Sequence, residues 1–89
     1  MDNAAVKVVK FGGSSLSDAV QFQKVRDIIL ADPARRYVVP SAPGRRFDGD
    51  DKVTDLLYRC YDMAVAGEDI DEVFSRITAR YDSIVADLG

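Results

Sequence analysis

Apolar residues along this chain change rhythm twice. Residues 6–11 read Val-Lys-Val-Val-Lys-Phe, a β-branched run apolar on both faces, which predicts a strand covered on both sides. The run breaks at Gly12-Gly13-Ser14-Ser15, and a helical pattern begins at once. Val20, Val25, Ile28 and Ile29, with Phe22 beside them, carry a first helix to about residue 31. Ser15 or Ser17 can cap it, and Asp18 falls in its first turn, where a negative charge suits the dipole. Asp32-Pro33 stops the helix. Tyr37-Val38-Val39 is a short second strand ended by Pro40.

The second half of the chain is helical. Residues 45–51 form a polar loop with too few hydrophobes to pack. A helix over about residues 52–66 shows a stripe of Val53, Leu56, Leu57, Cys60, Met63 and Ala64, and Gly67 ends it. Asp69 and Glu72 have the spacing of a capping box. The stripe then continues through Ile70, Val73, Phe74, Ile77, Tyr81, Ile84, Val85 and Leu88. These two helices predict an antiparallel hairpin, and residues 1–5 a frayed lead-in.

Strand, helix and strand within about 35 residues is the size of a βαβ unit, whose strands run parallel. Their carboxyl ends share one edge of the sheet, where ligands of open α/β sheets bind. This topology sets Ser41-Ala42-Pro43-Gly44 beside Gly12-Gly13. Two short strands cannot make an independent sheet. The expected class is therefore α/β, with residues 1–89 forming the opening of one larger domain.

Composition narrows the chemistry. Of 89 residues, 47% are apolar and 30% charged, and the net charge is −3 from 12 basic and 15 acidic side chains spread along the chain. Without a basic stripe, nucleic acid is not expected as a partner. No apolar run reaches the ~20 residues of a membrane span, and no secretory pattern opens the chain. A single cysteine fits a reducing, cytoplasmic setting, and the absence of histidine removes a zinc site or a histidine-based triad.

The strongest chemical signal is the first turn. A strand that ends in glycines and serines and opens a helix lets backbone N–H groups and the helix dipole meet an anion. Lys10 adds a full charge, worth about 4 kcal/mol against an opposite charge at ~4 Å and an effective dielectric of 20. The turn has neither the G-x-G-x-x-G nor the G-x-x-x-x-G-K frame, and Gly12-Gly13 alone is equally a turn that needs unusual φ angles. Ser41 offers a hydroxyl to substrate or phosphate. Thr54, in the first turn of the second helix, offers another, or only a capping contact. Asp48, Asp50 and Asp51 lack a ligand spacing and read as turn and cap residues, Arg45 and Arg46 as solvated, and Cys60 as a small buried hydrophobe. No metal site is expected from this chain's own residues.

Three blocks in order, Lys10-Phe11-Gly12-Gly13-Ser14-Ser15, Val38-Val39-Pro40-Ser41-Ala42-Pro43-Gly44 and Lys52-Val53-Thr54-Asp55-Leu56-Leu57, resemble the amino terminus of aspartokinases. The resemblance implies the amino-acid kinase (carbamate kinase-like) fold, a mostly parallel sheet between two helical layers, of which this chain is the βαβ-αα portion. It implies transfer of the γ-phosphoryl group of ATP, with Mg2+, to the side-chain carboxylate of L-aspartate, giving 4-phospho-L-aspartate for lysine, threonine and methionine biosynthesis. By the same resemblance Lys10 stabilises charge on the transferring phosphate, and Gly12, Gly13 and Ser14 form the phosphate cradle. Ser41 lies between nucleotide and amino acid, and Thr54 helps hold aspartate. Family members carry further site residues and usually regulatory ACT domains, so this chain is expected to be a portion inactive alone, from an enzyme that is a homo-oligomer. The alternatives are glutamate 5-kinase or acetylglutamate kinase, against which the block at residues 52–57 argues, and a non-catalytic helical association module.

Overall fold

The computed structural model describes residues 5–89; most of the expected lead-in lies outside them. Five regular elements follow in chain order: β1 (Lys7–Phe11), α1 (Ala19–Leu30), β2 (Arg35–Pro40), α2 (Val53–Val65) and α3 (Asp71–Leu88), with a 3-10 turn, Gly13–Leu16, between β1 and α1. β1 and β2 pair in parallel, Val9 opposite Val38 and Phe11 opposite Pro40, as a βαβ unit requires. The second strand is longer than its apolar core suggested. Pro40 is paired within it rather than beyond it.

The entry to α1 corrects the sequence reading. The cap is Asp18, whose carboxylate accepts from the Gln21 N–H at 3.0 Å, not Ser15 or Ser17. Ser15 is drawn into the 3-10 turn, where its N–H donates to the Gly12 carbonyl at 3.1 Å, and Ser17 Oγ donates to the Ser14 carbonyl at 3.3 Å. Both serines are thus engaged before the helix begins.

One face of the sheet looks onto α1, which covers it in part. Phe11, Val38 and Pro40 share an apolar groove with Phe22, Val25 and Ile29 of α1. The alternation of strand side chains turns Val8, Lys10, Tyr37 and Val39 the other way, and Val8, Tyr37 and Val39 are exposed. The expectation of cover on both faces is not met among the described residues, because no element packs there.

The main core lies in the helical hairpin. Val53, Leu56, Val73 and Ile77 are buried together, with Ala42, Cys60 and Met63 packed against them. Arg80, midway along α3, donates to the carbonyl of Asp51 just before α2, so the helices run antiparallel as expected. Gly67 closes α2 at φ +77 in a Schellman arrangement: its N–H donates to Ala64, and that of Glu68 to Met63 at 2.8 Å. The capping box does not form. Asp69 instead accepts from the Asp71 N–H at 2.9 Å, and Glu72 pairs with Arg76 one turn on. Leu57, Ala64, Phe74, Tyr81 and Val85 of the expected stripes are exposed. Tyr58 and Tyr61 lie on the surface. No helix among the described residues is long and apolar enough to cross a membrane.

Candidate functional site

The turn after β1 and the loop after β2 meet at one rim of the sheet. The Gly44 N–H donates to the Gly13 carbonyl at 2.8 Å, and the Ser41 N–H to that of Phe11 at 3.0 Å. The approach is so close that a Cβ on Gly44 would stand 2.6 Å from the carbonyl carbon of Gly13. A Cβ on Gly13 would lie 3.2 Å from the Ala42 carbonyl oxygen. These glycines are required by contact between backbones, not by φ. Neither has the positive φ that a glycine turn suggests, and Gly12, at φ −79, also has nothing within 4 Å of where its Cβ would be. Among the described residues nothing demands a glycine at position 12.

The second loop also reaches the helices. The Pro43 carbonyl accepts from the Val53 N–H at 3.1 Å, and Ala42 packs on the hairpin core. This brings the amino end of α2 to the same rim. A cleft of about 410 Å³ results, lined by Gly13, Ser14, Ser41, Ala42, Pro43, Gly44, Arg45, Lys52 and Thr54. Of the residues singled out in the sequence, Gly13, Ser14, Ser41 and Thr54 stand in its wall. Lys10 and Gly12 do not; both are exposed beside it, and Lys10 forms no ion pair among the described residues.

The donors around the cleft are hydroxyls and the cations Arg45 and Lys52. Such a set suits phosphate or carboxylate oxygens. It does not suit a divalent cation, and no three acidic, histidine or cysteine side chains gather to hold one among the described residues.

Behind the cleft lies an arrangement that the sequence reading missed. Arg46 is not simply solvated. Its guanidinium grips Asp50 through two hydrogen bonds of 2.7 and 3.0 Å, its N–H adds a third of 2.9 Å, and it lies over the Phe47 ring. These bonds from Arg46 hold the Asp50 carboxyl well below the usual carboxylate range, despite burial, which opposes ionisation. Arg45 Nε donates to the Asp50 carbonyl at 3.0 Å. The polar loop is therefore folded on its own charges. Deeper still, Arg80 is 5% exposed, and its guanidinium donates to the carbonyls of Gly44 at 2.7 Å, Asp51 at 2.8 Å and Ser17 at 3.0 Å. Burial lowers its pKa, but a guanidinium stays charged at neutral pH. The signal was present: Val73, Ile77, Arg80 and Ile84 recur every three or four residues, with arginine where a hydrophobe belongs.

No family model matches the chain. Aspartokinase 3 of Bacillus subtilis (strain 168) is 46% identical over 83 residues, which is 93% of this chain and 18% of that protein. The crystal structure of Clostridium acetobutylicum aspartate kinase superposes with a TM-score of 0.91 at 49% identity, over 97% of this chain and 20% of that one. In sequence and in fold, the chain matches a segment of aspartokinase. It spans about a fifth of the length of these aspartokinases, 18% and 20%. The fold shared with aspartokinase is the two-stranded parallel sheet with its helices, and the cleft at the rim falls within the matched region.

Proposed function

We propose that this chain supplies the phosphate cradle and part of the amino-acid contacts of an aspartate kinase. In the proposed reaction a side-chain carboxylate oxygen of L-aspartate attacks the γ-phosphorus of ATP. The bond to the β–γ bridging oxygen breaks, and ADP and 4-phospho-L-aspartate form. The carboxylate is ionised at neutral pH, so no general base is needed, and the protein's task is positioning and charge stabilisation. Gly12, Gly13 and Ser14 cradle phosphate oxygens, Lys10 reaches round the rim to the transferring group, Ser41 stands between the two substrates, and Thr54 holds aspartate. Mg2+ brought with the nucleotide would offset charge developing on the transferring group, and this chain's part would be the cradle that holds the phosphates. The chain acts as one portion of a three-layer amino-acid kinase domain in a cytoplasmic homo-oligomer feeding lysine, threonine and methionine synthesis, and does not turn over by itself.

The observation that supports this reading best is the junction of the two turns, Gly13 against Gly44, with hydroxyls of Ser14, Ser41 and Thr54 around one cleft. Gly12 adds to it, because a residue with ordinary φ and open space above it is free to admit a ligand against its backbone. The test is a chimera in which this chain replaces the matching 83 residues of the Bacillus enzyme. It is expected to form aspartyl phosphate from ATP and L-aspartate, trapped as the hydroxamate, and Lys10→Ala is expected to lower kcat by about 100-fold or more. A folded chimera that is inactive, or that prefers glutamate or acetylglutamate, would refute the proposal. So would aspartyl phosphate made by the 89-residue chain alone, which contradicts its dependence on the rest of the domain.

A further inference from the structure

Arg80 is the one cationic side chain among the described residues that is almost wholly buried, and its three hydrogen bonds all go to backbone carbonyls. The carbonyls belong to three separate segments: Ser17 in the passage from β1 to α1, Gly44 in the loop after β2, and Asp51 at the approach to α2. Each is joined to a wall of the cleft. Gly44 is itself in the wall, Asp51 directly precedes Lys52, and the Ser17 hydroxyl holds the Ser14 carbonyl. We infer that Arg80 is a positioning residue that sets the spacing of the three cleft walls from behind. The inference rests on the reading of the cleft as the phosphate and substrate site.

The geometry of the side chain explains why arginine stands here. A planar guanidinium offers five donors in a fixed fork and can hold carbonyls in several directions at once. Asp50, 3.6 Å from Arg80 Nη1 and also paired with Arg46, balances the buried charge without capturing the donors. A lysine ammonium keeps the charge but is a compact point that cannot span all three carbonyls. Room for the walls to shift lies close by, in a cavity of about 280 Å³ bordered by Arg46, Asp50, Asp51, Arg76 and Arg80. Without the guanidinium, the carbonyls of Ser17 and Gly44 lose their buried donor and turn toward water.

Amide hydrogen exchange of the chain, read residue by residue by NMR, tests this for Arg80→Lys and Arg80→Met against Ile77→Val, a core change that leaves the three carbonyl bonds of Arg80 in place. In both Arg80 variants the amides of Ser41, Gly44 and Val53, which are bonded across the rim, are expected to exchange at least tenfold faster relative to those of Leu56 and Ile77, while Ile77→Val accelerates both groups in step. Loop and core amides rising together in the Arg80 variants would overturn the inference. Should the Met variant not fold, the Lys variant decides alone. In the chimera, Arg80→Lys is expected to lower kcat/KM about tenfold at a melting temperature where Ile77→Val leaves it unchanged. If the parent chimera is inactive, the kinase reading fails by itself, and the exchange comparison still decides the placement of Arg80.

Discussion

At the scale of single residues, the cleft depends on atoms that are missing as much as on those present. Gly44→Ala places a methyl group 2.6 Å from the Gly13 carbonyl carbon, where both neighbours are backbone and cannot yield cheaply. Overpacking of this kind costs about 1–3 kcal/mol, and a lower melting temperature in thermal unfolding is the expected result. Gly12→Ala, with open space around it, is expected to leave the melting temperature nearly unchanged. Asp50 gives a second, pH-dependent outcome. Its carboxyl is depressed in the folded chain, chiefly by the Arg46 hydrogen bonds. The stabilisation is therefore fully present above the unfolded value of about 3.9 and is lost as pH falls below it. Urea titrations of Asp50→Asn between pH 6 and pH 2 (on the order of the carboxylate range) should show a shallower loss of stability on acidification than the parent. The glycine-serine turn was legible because its residue types are rare together after an apolar strand. The pairing of Arg46 with Asp50, four residues apart, depends on how the polar loop folds, and the place of Arg80 on the buried stripe was visible but its acceptors, 29 to 63 residues away, were not.

At the scale of elements, periodicity located all five segments, and the departures from it lie at their ends and in which positions of the two hairpin stripes are buried. Helix ends are set by single hydrogen bonds, and more than one nearby side chain could supply them. Asp18 took the cap of α1 after the 3-10 turn had engaged Ser15 and Ser17, and Asp69 bonded its neighbour Asp71 in place of the expected reciprocal box. The stripe of α3 was read through Tyr81, whereas the buried position on that turn belongs to Arg80. The hairpin supports two contrasting measurements. Leu56→Ala removes a core side chain that is 2% exposed and is expected to cost about 2–5 kcal/mol in denaturant unfolding. Gly67→Ala forces an L side chain to φ +77 at the end of α2 and is expected to cost about 1–2 kcal/mol, with no cavity formed.

At the scale of the whole molecule, the sheet carries α1 on one face and an apolar surface of Val8, Tyr37 and Val39 on the other, 69%, 60% and 49% exposed. Adjacent exposed hydrophobes beside open strand edges favour self-association. Sedimentation of the chain over a range of concentrations is expected to show association that Tyr37→Lys together with Val39→Lys reduces, while loss of Phe74 or Val85 on α3 changes it less. Parallel pairing and the meeting of the two loops could be anticipated from the βαβ order alone. What covers each face could not, because alternation within a strand names the faces without naming their neighbours.

The three carbonyls held by Arg80 lie 29, 36 and 63 residues away along the chain, while the α2–α3 hairpin closes across a turn of a few residues. Local contacts form early in folding and distant ones late, since loop closure must precede any reward from the contact. The hairpin is therefore expected to form first, and the bonds of the guanidinium to its three acceptors late. Substitutions at Leu56 or Ile77 should slow refolding, and those at Arg80 should chiefly hasten unfolding.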